Sequence, residues 1–215
     1  MADRILLFFL FLLSIVVANS QENLIYNGDF ETYRNCPEDY THYLEGITEL
    51  APGWFISNTS TPDYFNRCSI KSKVGIPANF AGDMEPHSGN AYVGMILRAD
   101  SSRYPYSRGY NEHLQTVITM PLERNKLYCL EFYYVLSNNS GIASNGLSVY
   151  LSNAKPVFDE AAEKFPFVPQ LEIRRDSVLN ERSQWNLFSG VFRASGEEKY
   201  LVIGNFTDYT ETKYV

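Results

Sequence analysis

The run LYCLEFYYVL, residues 127–136, alternates so that Tyr128, Leu130, Phe132 and Tyr134 fall on one side of an extended chain. Cys129, Glu131 and Tyr133 fall on the other. A period of two suits a half-buried strand and not a helix, because successive strand side chains point to opposite faces. The pattern recurs. NGLSVYLSN puts Leu147, Val149 and Leu151 on one side, and LQTVITMPL alternates Leu114, Thr116 and Ile118 before breaking at Pro121. NAYVGMIL follows the turn-forming PHSG, WNLFSGVFRA and KYLVIGNF are joined by the turn SGEE, and NLIYNGDFETY surrounds an Asn-Gly turn signal with apolar residues. Seven or more short strands cut by turn chemistry predict an all-β, two-sheet sandwich of jelly-roll type. Only KPVFDEAAEKF, residues 155–165, has a helical pattern, and it is short. No repeat or linker divides residues 21–215, which read as one domain.

The first twenty residues have a different grammar. MADR is a short charged start, ILLFFLFLLSIVVA is an unbroken apolar run, and Ala18 and Ser20 place small residues before Gln21. That is the pattern of a secretory signal peptide, with a run too short for a comfortable membrane span. The chain is therefore expected to be exported, with no membrane span once the signal is cleaved. A formal net charge of −7 without a Lys/Arg cluster argues against nucleic-acid and anionic-membrane partners.

Three cysteines are an odd set for an exported chain and predict one disulfide and one thiol. Cys36 and Cys68 lie in polar, loop-like surroundings, while Cys129 sits inside a strand pattern. The pairing favoured is Cys36 with Cys68, with Cys36–Cys129 as the alternative.

The order of NGDFE, APGWF, TPDYFNRC, VGIPANFAGDMEPHSGNAYVGM, PLERNKLYCLEFYY and EEKYLVIGNF across residues 23–206 resembles the galactose-binding-like jelly rolls, which include many carbohydrate-binding modules. It is most similar to an amino-terminal module of Bacteroidetes envelope proteins that precedes an OmpA-like peptidoglycan-binding domain. The resemblance implies an exported jelly roll without known catalysis, in an outer-membrane, periplasmic or extracellular setting, with an OmpA-like domain downstream. That domain and the closing strand of the family pattern do not follow NFTDYTETKYV, which suggests a chain truncated before its last strand. The resemblance also implies a structural Ca²⁺ near the first strand. Glu31 matches the acidic position of the family's FE pair, Asp29 is close enough to help, and the usual carboxylate of the closing strand is missing.

The stretch APGWFISNTSTPDYFNRC, residues 51–68, is unusually aromatic for a loop. Small residues around Trp54 indicate a turn entering a strand, so Trp54 reads as core. In TPDYFNRC, Asp63, Tyr64, Phe65 and Asn66 precede a cysteine that would pin the segment. Rings with amides and carboxylates are how sugar sites are assembled, the alternative being a satellite cluster that buries Tyr64 and Phe65. The loop RADSSRYPYSRGYNEH interleaves Tyr104, Tyr106 and Tyr110 with Arg103 and Arg108, a mixture typical of recognition surfaces or of an ordinary solvated loop.

No catalytic constellation can be assembled. His42, His87 and His113 form no HExxH or zinc pattern, no GxSxG elbow occurs, and Glu197 and Glu198 are expected in an exposed hairpin turn. Asn58, Asn138 and Asn205 each begin an Asn-x-Ser/Thr sequon. The expected function is non-catalytic binding of a glycan or another envelope component through long loops. The alternative is a purely architectural domain; a carbohydrate-active enzyme ranks third.

Overall fold

The computed structural model describes residues 22–42, 46–56, 60–70, 73–103, 105–157, 166–173 and 176–215. Its strands are β1 (Trp54–Ile56), β2 (Asp63–Asn66), β3 (Ala78–Asn79), β4 (Gly82–Asp83), β5 (Ala91–Gly94) and β6 (His113–Val117). They continue with β7 (Leu127–Tyr134), β8 (Leu147–Ser152), β9 (Leu171–Glu172), β10 (Asn186–Arg193) and β11 (Tyr200–Asn205). All pairings are antiparallel. One sheet runs β1-β6-β11-β8-β9, and the ribbons β7–β10, β2–β5 and β3–β4 complete the fold.

Register explains the layers. Trp54, Thr116, Leu201 and Leu151 stand opposite one another across four strands of the large sheet, and so share a face. Ile56, Leu114, Ile203, Val149 and Leu171 form the next row on that face. Val149, Leu151 and Leu201 pack on Phe188 and Phe192 of β10 and on Tyr128, Leu130, Phe132 and Tyr134 of β7. Trp54 and Leu114 pack instead on Tyr64 of β2 and Ala91 of β5. Two ribbons therefore cover one five-stranded sheet, an antiparallel all-β sandwich as the alternation predicts. The alternation expected in β7 is found, with the even-numbered side chains turned toward the core; in β8 Leu147, Val149 and Leu151 share a buried face as expected, but Ser148 on the other face is buried as well.

Three local expectations need correction. NLIYNGDFETY is a turn rather than a strand; among the described residues its only ladder contact is a bridge from Ile25 to Ile118. Asn27, at φ 54°, holds it. Its amide nitrogen donates to the carbonyls of Thr32 (2.8 Å) and Pro52 (3.0 Å), and its amide oxygen accepts from Thr32 N (2.8 Å). The segment DYFN, read as loop, is strand β2. Glu198 is buried in its turn, accepting from Ser195 N (2.6 Å), Ser195 Oγ (2.7 Å) and Gly196 N (2.9 Å). A carboxylate that folds back on its own turn satisfies backbone donors that would otherwise be orphaned.

Cys36 and Cys68 form a disulfide, and Cys129 is free and exposed on the outer face of β7. The signal-peptide segment, the sequon at Asn58 and residues 158–165 of the expected helix lie outside the described residues. Among the described residues no helix is long and apolar enough to cross a membrane.

Candidate functional site

The predicted core role of Trp54 holds. Its indole is 3% exposed, donates from Nε1 to the Asn27 carbonyl (2.7 Å) and lies 5.0 Å from the Phe30 ring. Gly53, at φ 94°, makes the turn before it, where a Cβ would strike the Tyr26 ring.

The downstream half of the aromatic stretch follows the satellite-cluster alternative. Tyr64, Phe65 and Asn66 are buried, so their polar and ring groups are unavailable to a ligand in this conformation. The Tyr64 hydroxyl donates to the Phe30 carbonyl (2.8 Å) and accepts from Asn66 Nδ2 (2.7 Å). Asn66 Oδ1 accepts from Cys68 N (2.8 Å), which ties the strand to its disulfide. Asp63 accepts from Thr41 N (2.8 Å), and burial pushes its carboxyl up to about 6.

The second aromatic loop divides. Tyr104 lies outside the described residues, and Tyr106 is fully exposed on a 3₁₀ turn (Pro105–Ser107). The Tyr110 hydroxyl donates to Glu112 Oε1 (2.8 Å). Glu112 is buried and also accepts from Thr61 N (3.1 Å) and Ile96 N (2.7 Å), so it is a structural knot. Burial pushes its carboxyl up to about 7 despite those donors.

Glu31 does not stand free either. Its Oε1 accepts from Asn90 N (2.6 Å) and Ala91 N (3.1 Å), and its Oε2 from Asn90 Nδ2 (3.1 Å). Asp29 Oδ1 accepts from Glu31 N at 3.3 Å. Two carboxylates already engaged this way are a small part of the roughly six to eight oxygens Ca²⁺ takes. Among the described residues no three His, Cys, Asp or Glu side chains gather into a cation cage. Glu31 therefore acts first as the clamp of the PHSG turn. Gly89, at φ 64°, leaves room for that carboxylate where any Cβ would collide with it.

What this clamp holds in place is a feature that sequence reasoning missed. His87, on the clamped turn, stacks on Tyr133 of β7, with centroids 3.5 Å apart and planes 14° apart. Trp185, just before β10, meets His87 edge-on at 6.4 Å and Tyr92 at 5.9 Å. Tyr92 stacks on Phe65 (5.0 Å), Phe65 lies 5.5 Å from Phe80, and Tyr40 meets Phe80 edge-on at 4.8 Å. Seven rings thus form one continuous ledge. Its middle is buried at Phe65, while Tyr40, Phe80 and Tyr133 are each more than two-fifths exposed.

The ledge is fixed at several points. Trp185 Nε1 donates to the Glu85 carbonyl (2.9 Å), holding one end of the His87 segment while Glu31 holds the other. Asn79 Nδ2 donates to the Tyr92 hydroxyl (2.7 Å), and burial raises the pKa of that phenol. Lys73 Nζ bonds both oxygens of Asp39 (2.8 Å each) and lies 4.7 Å from the Tyr40 ring centroid. Trp185 and Tyr92 are thus each fixed by one hydrogen bond, which leaves little ordering to do at the middle of the ledge. The sequence signal for it was weak, because the rings come from segments spread between Tyr40 and Trp185.

The histidines carry no shared chemistry. His113 is buried with its ring nitrogen Nε2 3.1 Å from the Asn205 carbonyl, and burial lowers its pKa to about 4. The Asn205 sequon is buried with its amide donating to the Leu97 carbonyl (2.9 Å), so the folded chain cannot offer it for glycosylation. Asn138 is exposed, with its amide nitrogen donating to the Asp83 carbonyl (2.7 Å).

The chain matches no protein-family model, and no curated protein matches it.

Proposed function

We propose that this protein is an exported, non-catalytic β-sandwich module of the cell envelope that binds glycan along the aromatic ledge. One observation carries this reading: Tyr40, Phe80 and Tyr133, each partly exposed, are joined through a run of ring contacts that includes His87, Trp185 and Tyr92. Sugar rings have an apolar face that stacks on aromatic surfaces, and ordinary sandwich stability does not require exposed stacked rings. On this reading the contact surface is formed by Tyr40, Phe80, His87, Tyr133 and Trp185 rather than by the expected Asp63, Tyr64, Phe65 and Asn66 with Tyr104, Tyr106 and Tyr110. Tyr106 remains available as an outlying contact.

A second reading is architectural, with the module packing beside another domain such as an OmpA-like one. The outer face of the β7–β10 ribbon favours it, since Leu127 (57%), Leu187 (49%) and Val191 (61%) are all exposed there. Leu127 and Val191 are diagonal neighbours on that face, set apart from Leu187 by Ser189 and Glu131, and exposed apolar side chains of this kind are found where proteins meet.

The test is electrophoresis of the exported chain through gels with and without dissolved polysaccharide. Retardation in at least one polysaccharide, lost when Tyr133 becomes Ala, supports the binding module. Equal mobility in every gel leaves the architectural reading.

A further inference from the structure

The Tyr–Arg loop between β5 and β6, whose residues take no part in the ledge, meets residues 207–215. Arg98 lies over two rings there, its guanidinium carbon 3.7 Å from the Tyr209 centroid and 4.3 Å from that of Tyr214. Its Nη1 donates to the Tyr209 carbonyl, and the Tyr209 hydroxyl shares a hydrogen bond with Ser101 Oγ. Arg108 lies 5.5 Å from the same Tyr209 centroid. The two guanidinium carbons are thus no further apart than the sum of their distances to that ring. Both segments are braced. Ala99 N donates to the Tyr110 carbonyl (3.1 Å) and Glu112 N to the Ile96 carbonyl (2.7 Å), which closes the loop. Thr212 N donates to the Asp208 carbonyl (2.9 Å), Lys213 N to Asn145 Oδ1 (2.9 Å) and Val215 N to the Ala143 carbonyl (3.0 Å), which fixes the segment carrying the two tyrosines.

Neither cation is answered by an acid. Asp100, in the same loop, turns its Oδ1 to Ser102 N (3.0 Å) and Arg103 N (3.3 Å). Among the described residues no carboxylate forms an ion pair with Arg98 or Arg108, although Asp208 and Glu211 belong to the turn that carries Tyr209. Two like charges beside one ring repel each other, and an incoming carboxylate relieves that repulsion. A guanidinium lying over a ring keeps its donors in its own plane, where a carboxylate can accept two at once. Tyr106, fully exposed two residues before Arg108, and Tyr214, 54% exposed, add ring area. Tyrosine and arginine are the usual anchors of protein interfaces, and in an extended peptide side chains two residues apart share a face at about 7 Å. We infer that this surface docks an extended acidic segment of a partner protein, whose carboxylates at alternate positions are received by Arg98 and Arg108. The chain's net charge of −7 opposes such a partner only beyond contact, because salt screens it over about 8 Å under physiological conditions.

The experiment is fluorescence anisotropy of the full chain with a labelled eight-residue peptide that alternates Glu and Thr. Its Gln–Thr and Lys–Thr counterparts are the controls, and an oligogalacturonate of equal charge is a separate probe. Binding of the Glu peptide alone, weakened several-fold by added salt, is the expected result. Arg108→Gln should lower that affinity about ten-fold, the size of one charged hydrogen-bonded contact, and Arg98→Gln at least as much. Arg108 is exposed, so an unchanged melting temperature is expected for its variant, which decides the matter alone if Arg98→Gln melts early. Tyr133→Ala, which alters the ledge, should leave peptide binding intact, so the two surfaces are judged separately. Equal binding of the Gln peptide, no binding of the Glu peptide, or full affinity in Arg108→Gln overturns the inference. Tighter binding of the oligogalacturonate than of the Glu peptide also overturns it, in favour of an acidic sugar.

Discussion

At the scale of single residues, the most consequential side chains are buried polar groups that tie segments together. Glu112 joins Thr61, Ile96 and Tyr110, and its carboxyl, pushed up to about 7, retains a proton that the unfolded chain releases near its ordinary value of 4.5. A raised carboxyl favours the folded state most below its ordinary value, and that contribution disappears as pH rises through 7. Asp63, raised to about 6, adds in the same direction. His113 opposes them: held neutral with a pKa near 4, it favours the folded state above 6.5 and loses that contribution as pH falls toward 4. Two carboxyls against one imidazole give a melting temperature that declines between pH 5 and pH 7.5. Glu112→Gln should flatten the decline, as followed by circular dichroism melts across that range. A slope equal to that of the unaltered protein would refute the assignment.

At the scale of elements, the disulfide does the most for its size. It closes a loop of 32 residues between the segment carrying Tyr40 and the end of β2. Loop-closure entropy for that length is worth about 3–4 kcal/mol in the chain-entropy treatment. Replacing Cys36 and Cys68 together with Ser should lower unfolding free energy by roughly that amount in a urea titration; a loss below ~1 kcal/mol would show that the loop is held by other means. This pairing was legible in the sequence because Cys129 sits in a strand with clear alternation. β7 and β10 were legible for the same reason: one face of each is buried, so period two is imposed on the residues. β8 and β11 are buried on both faces and were legible as short apolar runs. β2 was not, because Pro62 and a cysteine bracket only four residues. The opening turn was not, because its apolar residues cluster around Asn27 rather than forming a ladder. The ledge was least visible of all. Its rings read individually as loop or strand aromatics, and only the folded register brings them together.

At the scale of the whole molecule, the sandwich and the ledge are one cooperative object. Phe65 and Tyr92 belong to the β2–β5 ribbon, whose Tyr64 and Ala91 pack on the large sheet, and Tyr133 belongs to the ribbon that covers it. Any ligand of the ledge then binds the native state alone and must stabilise it. A polysaccharide that binds there, at about a hundred times its dissociation constant, should add ~2.7 kcal/mol to unfolding. Differential scanning calorimetry with and without the polymer reads this directly, and an unmoved transition at saturation would mean that the ligand also holds the unfolded chain. The same layout has a further outcome. The rings form a mosaic whose pieces come from segments between residues 40 and 185, so no short peptide cut from the chain can reproduce the arrangement, and unfolding the scaffold would disperse it without touching a single ring.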